Sequence, residues 1–549
     1  MKWSSRIIFS LITTSLFMLS CAEKTPTNPW DSFDESAQIE QNKAHANSRM
    51  QFKRILSKHR KRSDIWGSLL AEIENFGEEN YLRLVPMVLE KDIPSLQAQI
   101  AQGLMTYEEL TLFYLYRIYR FENDPQRFLN AVIALHPAAV AQARARDEQA
   151  ENIDPYSLYG MPILLKDNIN VAGLPTTAGA SVLAQNSTED AFIVQQLKAT
   201  GAVILGKSNL SEWAYYFCSG CPLGYSAIGG QSLNPYGRFQ FETGGSSSGS
   251  GVAATMNFAA ITIGSETSGS ILSPSAKNSV VGLKPTLGSV SRSGIIPISS
   301  SLDTAGPMTK NVLDNWILFN AIQGYDSNDS YALKGEMIPI PKELPKDLKG
   351  KKIGYFKSFI EDSLYQRSLE KLTMLGAELT EITPPQVNFQ GFGTLLDVDM
   401  KKDLPLYLEQ YAATEISVRS VSDVIAFNQK DSVLHAPYGQ SIFKGIAADS
   451  TSSEAFEQLK TRLMGEGKRF FETPMEANGL DAVVSIDNYS AAAAALAHYP
   501  ALAVPMGRKA SGEPTALVFI APSQSEGLLF ELGYVFEQAT NYRQLADLN

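Results

Sequence analysis

A chain of 549 residues with 44% apolar and only 19% charged side chains can bury a large core, which argues against an intrinsically disordered protein. Lysine and arginine total 47 against 58 aspartates and glutamates, a net charge of −11, and this balance argues against a general nucleic-acid-binding role. With 3 cysteines the chain also lacks the framework of a disulfide-stapled domain.

The amino terminus reads as an export signal. Lys2 and Arg6 supply positive charge ahead of an apolar run from Ile7 to Leu19, too short to span a bilayer as a helix. The run ends at Leu19-Ser20-Cys21-Ala22, which resembles the lipobox of bacterial lipoproteins. That resemblance implies a signal peptide over residues 1–20, a lipid on Cys21, and a protein anchored at the periplasmic or surface face of a bacterial envelope. Residues 21–84 are expected to form a tether and a helical arm, polar and rich in Asn, Gln and Lys at first. Within it the stretch KRILSKHRKR, residues 53–62, carries Lys53, Arg54, Lys58, Arg60, Lys61 and Arg62. A solvated helix face is the expectation there, with contact to anionic lipid or a polyanion as the alternative.

From residue 85 onward the apolar spacing turns helical. Thr106 precedes Glu109 by three positions, a capping-box pattern, and Leu110, Phe113, Leu115 and Ile118 follow at spacings suited to one buried face. Short apolar runs then predict strands at PILL (162–165), FIVQQL (192–197), AVIL (202–205) and FAAITIG (258–264). Glycine and serine punctuate Gly220 to Ser301 so heavily that turns and tightly packed backbone are expected. A second α/β section follows, with strands predicted at KKIGYF, AELTEI, DAVVSI, LAVPMG and TALVFI and helices at VRSVSDVIAFNQ, EAFEQLKTRLMGEGKRFFE and AAAAALA.

Three motifs offer chemistry that their context does not support. Gly245-Ser246-Ser247-Ser248-Gly249 matches the nucleophile elbow G-x-S-x-G, but an elbow needs a strand before it, and NPYGRFQFETG is polar and loop-like. A Ser-His-Asp triad would also have to draw on one of His45, His59, His136, His435 and His498. Gly201 to Ser208 spells G-x-x-x-x-G-K-S, yet its middle residues AVIL read as a buried strand instead of a phosphate-cradling loop. Cys218 and Cys221 form a C-x-x-C with no second pair or nearby histidines to complete a zinc site, leaving a local disulfide or two idle thiols.

Four separated segments carry the remaining chemistry: GMPILLKDNINVAGLPTTAGA (160–180), GGSSSGSG (244–251), GSETSGSILSPSAKNSVVGLKP (264–285) and SLDTAGPM (301–308). In that order they resemble the amidase signature family, and GKSNLSEWA, YSAIGGQSLNPY and SRSGIIPISSSLDTAGPM are most similar to bacterial amidases of the peptide-amidase type. The resemblance implies one α/β/α domain over residues 85–549 around a mixed, mainly parallel sheet. It implies a serine amidohydrolase working through an acyl-enzyme, on a small-molecule or peptide amide, without metal or organic cofactor. Lys166 would be the base, Ser246 a proton relay held by an unusual cis peptide bond, and Ser270 the nucleophile, the interval between the two serines selecting Ser246 among its neighbours. Ser247 would be a supporting hydroxyl, and the backbone N–H groups of Thr267, Ser268, Gly269 and Ser270 the oxyanion hole. Glu266 stands where the family commonly has Asp.

The chemistry is sound without the name. A serine hydroxyl needs a base, and lysine serves only when neutral, which demands burial; the apolar residues before Lys166 suit that, whereas the adjacent Asp167 opposes it. A relay serine can accept one proton while donating another. Three rivals share the sequence: the catalytic subunit of a tRNA-dependent amidotransferase, which an export signal disfavours, an esterase or acyl-transferring enzyme, and a non-catalytic lipoprotein with the same fold.

Overall fold

The computed structural model describes Trp30 and residues 33–335 and 337–546. Cys21 and the expected signal peptide lie outside the described residues. Among the described residues thirteen strands form: β1 (Val132–Leu135), β2 (Pro162–Lys166), β3 (Val203–Ser208), β4 (Tyr225–Ser226), β5 (Gly230–Gln231), β6 (Ile261–Glu266), β7 (Val281–Lys284), β8 (Thr304–Thr309), β9 (Lys352–Phe356), β10 (Glu378–Ile382), β11 (Ala482–Ile486), β12 (Ala501–Arg508) and β13 (Pro514–Ile520). All except the small β4/β5 pair join one 11-stranded sheet in the order β1-β3-β2-β6-β8-β7-β12-β13-β11-β9-β10.

The sheet is mixed, as expected, but parallel pairings are the minority. Four neighbours run parallel, β3/β2, β2/β6, β11/β9 and β9/β10. The other six are antiparallel. Connectivity forces one of these pairs: β12 and β13 are joined by a tight turn at residues 509–513, too short for a parallel crossover.

Side chains of β12 alternate between two cores. Ala501 and Ala503 join a cluster containing Leu272 and Ala276, whereas Leu502 and Val504 join the main cluster with Val312, Leu529 and Phe536. Alternation along a strand means opposite faces, so the helix Leu272–Lys277 covers one side and the helices Val312–Ile322 and Glu526–Thr540 the other. The strands predicted in the second half all form, and the capping box at Thr106/Glu109 starts the helix Tyr107–Glu122.

Two expectations need correction. The run FIVQQL lies in the helix Phe192–Ala199, not a strand, with Ile193, Val194 and Leu197 buried on one face while Gln195 and Gln196 fall on the other. The arm is also no loose appendage: the boundary expected at residue 84 falls inside the helix Leu70–Val88, and Met50, Phe52, Ile55, Trp66 and Ile73 are buried in the main core. Its basic run is threaded through the protein instead of lying on a solvated helix. Arg62 pairs with buried Glu122, Arg60 donates to the Ile133 carbonyl, and Lys58 pairs with Glu35 at 3.2 Å. Cys218 and Cys221 are joined as a disulfide. No helix among the described residues is long and apolar enough to cross a membrane.

Candidate active site

Parallel pairing of β2 with β6 sets Leu165 opposite Ile263, so the carboxyl ends of both strands deliver Lys166 and Ser265 side by side. The third component arrives through the loop 243–247 and the helix Ser248–Thr255. That helix is buried along its whole length and made of SGSGVAAT because nothing larger fits: a Cβ on Gly249 would collide with the backbone of Ala131 and Asn209. The Gly245–Ser246 peptide bond is cis.

Lys166 is fully buried, and its Nζ stands 2.7 Å from Ser246 Oγ, 2.9 Å from Ser265 Oγ and 3.0 Å from the Ser265 carbonyl oxygen. Burial drives its pKa down to about 7, against the opposing pull of Asp303 and Glu266. The neighbour that argued against a neutral lysine is accounted for elsewhere. Asp167 forms an ion pair with Lys207 at 3.0 Å and accepts the Thr177 hydroxyl.

Ser247 Oγ donates to the Ser265 carbonyl at 3.0 Å and accepts the Ser265 N–H at 3.2 Å, so it clamps the residue that holds the lysine. Asn168 donates to Ser265 Oγ at 2.9 Å from the other side. The Ser247 N–H also donates to the Ser270 carbonyl at 3.1 Å, tying the two serine segments together. Ser270 lies at the edge of a cavity of about 440 Å³ shared with Thr267, Ser268, Gly244 and Gly245.

The segment leading into Ser270 is organised by a carboxylate. Glu266 accepts the N–H groups of Gly269 and Ile271, both at 2.6 Å, and of Leu272 at 3.0 Å. Gly269 therefore cannot offer its N–H to an oxyanion as expected from the sequence, because a stronger, charged acceptor already holds it. The N–H groups of Thr267, Ser268 and Ser270 carry no such bond among the described residues. Thr267 is fixed by its hydroxyl, which donates to Asp303 at 2.5 Å; burial raises Asp303 to about 6.

The structure thus brings together Lys166, Ser246, Ser247 and Ser270 and leaves the decoys outside. None of the five histidines lines the Ser270 cavity; His435 instead contacts Ser181 Oγ at 2.8 Å and stacks on His59. Residues 203–208 are strand β3, and a Cβ on Gly206 would collide with the Ala134 carbonyl oxygen, so that glycine serves sheet packing and not phosphate. Sequence reasoning missed Ser265, Asn168 and Asp303 altogether. Only the β2/β6 register reveals the first, since nothing in its own neighbourhood distinguishes it from a dozen nearby hydroxyls.

The family model "Amidase" matches residues 109–485. Among solved structures, an amidase family protein from Bacillus anthracis superposes with a TM-score of 0.85 at 37% identity, over 89% of this chain and 98% of that one. The peptide amidase of Stenotrophomonas maltophilia superposes with a TM-score of 0.78 at 36% identity, covering 84% and 99%. In sequence, the Arabidopsis thaliana protein named "Probable amidase" is 34% identical over 496 residues, 86% of this chain and 95% of its own. A sheet, a buried lysine between serines and a family match across most of the body lead to one assignment: the chain belongs to the amidase family and is a hydrolase acting on carbon–nitrogen amide bonds.

Proposed function

We propose that the reaction is amide plus water to carboxylate plus ammonia, through an acyl-enzyme on Ser270, with Ser246 as relay and Lys166 as base. The observation that carries this reading is the set of contacts around Lys166 Nζ. A neutral amine has two hydrogens and one lone pair. Two of the three contacts, Ser265 Oγ and the Ser265 carbonyl, take the hydrogens, and the lone pair then faces the Ser246 hydroxyl at 2.7 Å. Ser246 donates to Lys166 in that state, and its oxygen is free to accept the proton of Ser270.

Ser270 Oγ attacks the amide carbonyl as its proton passes to Ser246 and the Ser246 proton to Lys166. The N–H groups of Thr267, Ser268 and Ser270 stabilise the oxyanion, with Glu266 holding the segment in shape through Gly269; loss of one such donor typically costs about a hundred- to a thousandfold. The carbon–nitrogen bond then breaks while the protons run back from Lys166 through Ser246 to the departing nitrogen. Water attacks the ester by the same route and releases the carboxylate.

A peptide bearing a carboxamide is the substrate class this reading favours, supported by the similarity to a peptide amidase and by a cavity too large for a bare short amide. The chain would act outside the cytoplasm, anchored through Cys21, on the strength of the apolar run that precedes it. Hydrolysis by the isolated chain separates this reading from an amidotransferase subunit, which needs partners. The direct test is loss of amide turnover in folded Ser270→Ala and Lys166→Ala.

A further inference from the structure

One cation in the Ser270 cavity comes from the arm, sixty residues before the family match begins at residue 109. Arg49 sits in the short helical turn Ser48–Met50, and its own N–H donates to Asn47 Oδ1 at 3.1 Å, capping the turn. Buried Met50 anchors that turn, and its carbonyl accepts the buried Asn42 amide at 3.0 Å. The backbone beneath Arg49 is therefore fixed, and the side chain reaches over the cavity, 39% exposed.

Its guanidinium is oriented by Glu242. Nε lies 2.8 Å from Glu242 Oε1, and Nη2 donates to Oε2 at 3.1 Å. A guanidinium has five N–H donors in a plane, and the hydrogen bond to Glu242 uses only one of them. The Tyr215 hydroxyl stands beside it and donates onward to the Cys221 carbonyl at 2.9 Å. The other cation at the cavity, Lys277, is already paired with Glu513 at 2.9 Å and faces Asp487 at 3.7 Å. Tyr216, Ile298, Phe392 and Leu396 give the cavity an apolar and aromatic part of its lining, beside polar Ser273 and Asn488.

A cavity lined by both Ser270 and a guanidinium that Glu242 orients, with apolar side chains in the same lining, fits an acyl group that carries an oxygen acceptor apart from its scissile amide. We propose that Arg49 is a specificity-determining residue that donates to a backbone carbonyl of a peptidyl amide bound for hydrolysis at Ser270. This rests on the amidase mechanism proposed above and names the substrate feature that the arm reads.

The test uses the full chain and three proteins: wild type, Arg49→Ala and Arg49→Gln, the last a shorter, neutral side chain that keeps the polar character of the position should alanine fail to fold. Each is assayed on a tripeptide amide and on benzamide, with the rate of fluorophosphonate labelling at Ser270 as a separate reading of the nucleophile. The ratio of kcat/KM for tripeptide amide over benzamide should fall at least tenfold in both variants, through KM, while Ser270 still labels. An equal fall on both substrates would mean that Arg49 acts only by holding Glu242 and the loop to Ser246, and overturns the proposal. So does an unchanged ratio, or a wild type that hydrolyses benzamide but no peptidyl amide. Absence of Ser270 labelling in the wild type would instead overturn the mechanism beneath it.

Discussion

At the scale of single residues, the electrostatics turn on which lysine answers to which carboxylate. Asp167 neutralises Lys207, so Lys166 is left in a buried site with hydroxyls and a carbonyl as its nearest partners and a pKa near 7. Protonation removes the lone pair that faces Ser246, so kcat/KM for amides should fall as pH drops through about 7. A pH profile recorded from 5 to 9 checks this; a profile flat through neutrality contradicts a lysine base. Lys207→Ala strands a buried carboxylate, and breaking such a pair costs about 3–5 kcal/mol. Urea denaturation should show that loss, and no nucleotide should restore stability, as it would if Gly201–Ser208 cradled phosphate. His435→Ala and His498→Ala should retain most activity, because neither side chain reaches the Ser270 cavity.

At the scale of elements, the arm carries the most consequence. Residues 50–73 place Met50, Phe52, Ile55, Trp66 and Ile73 in the main core, and the Ile55 carbonyl accepts the Gln231 N–H at 2.8 Å, fastening the arm to the small β4/β5 hairpin. Deletion of residues 33–69 should therefore abolish cooperative unfolding or leave an aggregating protein, measured by thermal denaturation; a deletion variant that melts like wild type would show the arm to be dispensable. The arm is also where the sequence was least legible. Its basic and polar residues give no period, and the partners that bury them, Glu122, the Ile133 carbonyl and Glu35, lie up to about seventy positions away in the chain. Strands β11, β12 and β13 are readable because each is a buried run bounded by polar turns, whereas β10, at the sheet edge, buries only Ile382. FIVQQL misled for the opposite reason: a helix of eight residues is too short to display its period. In the site, Lys166, Ser246 and Ser270 were legible through the family's motifs, whereas Ser265 depends on sheet register and the loss of Gly269 as a donor depends on where the Glu266 side chain folds back.

At the scale of the whole molecule, the fold gathers Lys166, Ser246 and Ser265 in the core, and Ser270 lines a cavity to which the arm contributes Arg49; export would set this site outside the cell. Cys21→Ser should release the protein from the membrane fraction or block its maturation, since the apolar run from Ile7 to Leu19 is too short to hold the chain on its own; unchanged processing and membrane association would remove the lipid anchor from the account. The central claim is that Lys166, acting through Ser246, moves the proton for attack by Ser270. It is tested most directly by matched amide and ester substrates assayed on wild type, Ser270→Ala, Ser246→Ala and Lys166→Ala, with fluorophosphonate adducts mapped by mass spectrometry. Label on Ser270, loss of amide turnover in the Ser270 and Lys166 variants, a severe but incomplete loss in Ser246→Ala, and an ester rate less impaired than the amide rate in Lys166→Ala are the predicted results, because ammonia must be protonated to leave and an alkoxide needs less help. Label on Ser247 or Ser248, or full amide turnover in folded Lys166→Ala, would contradict it.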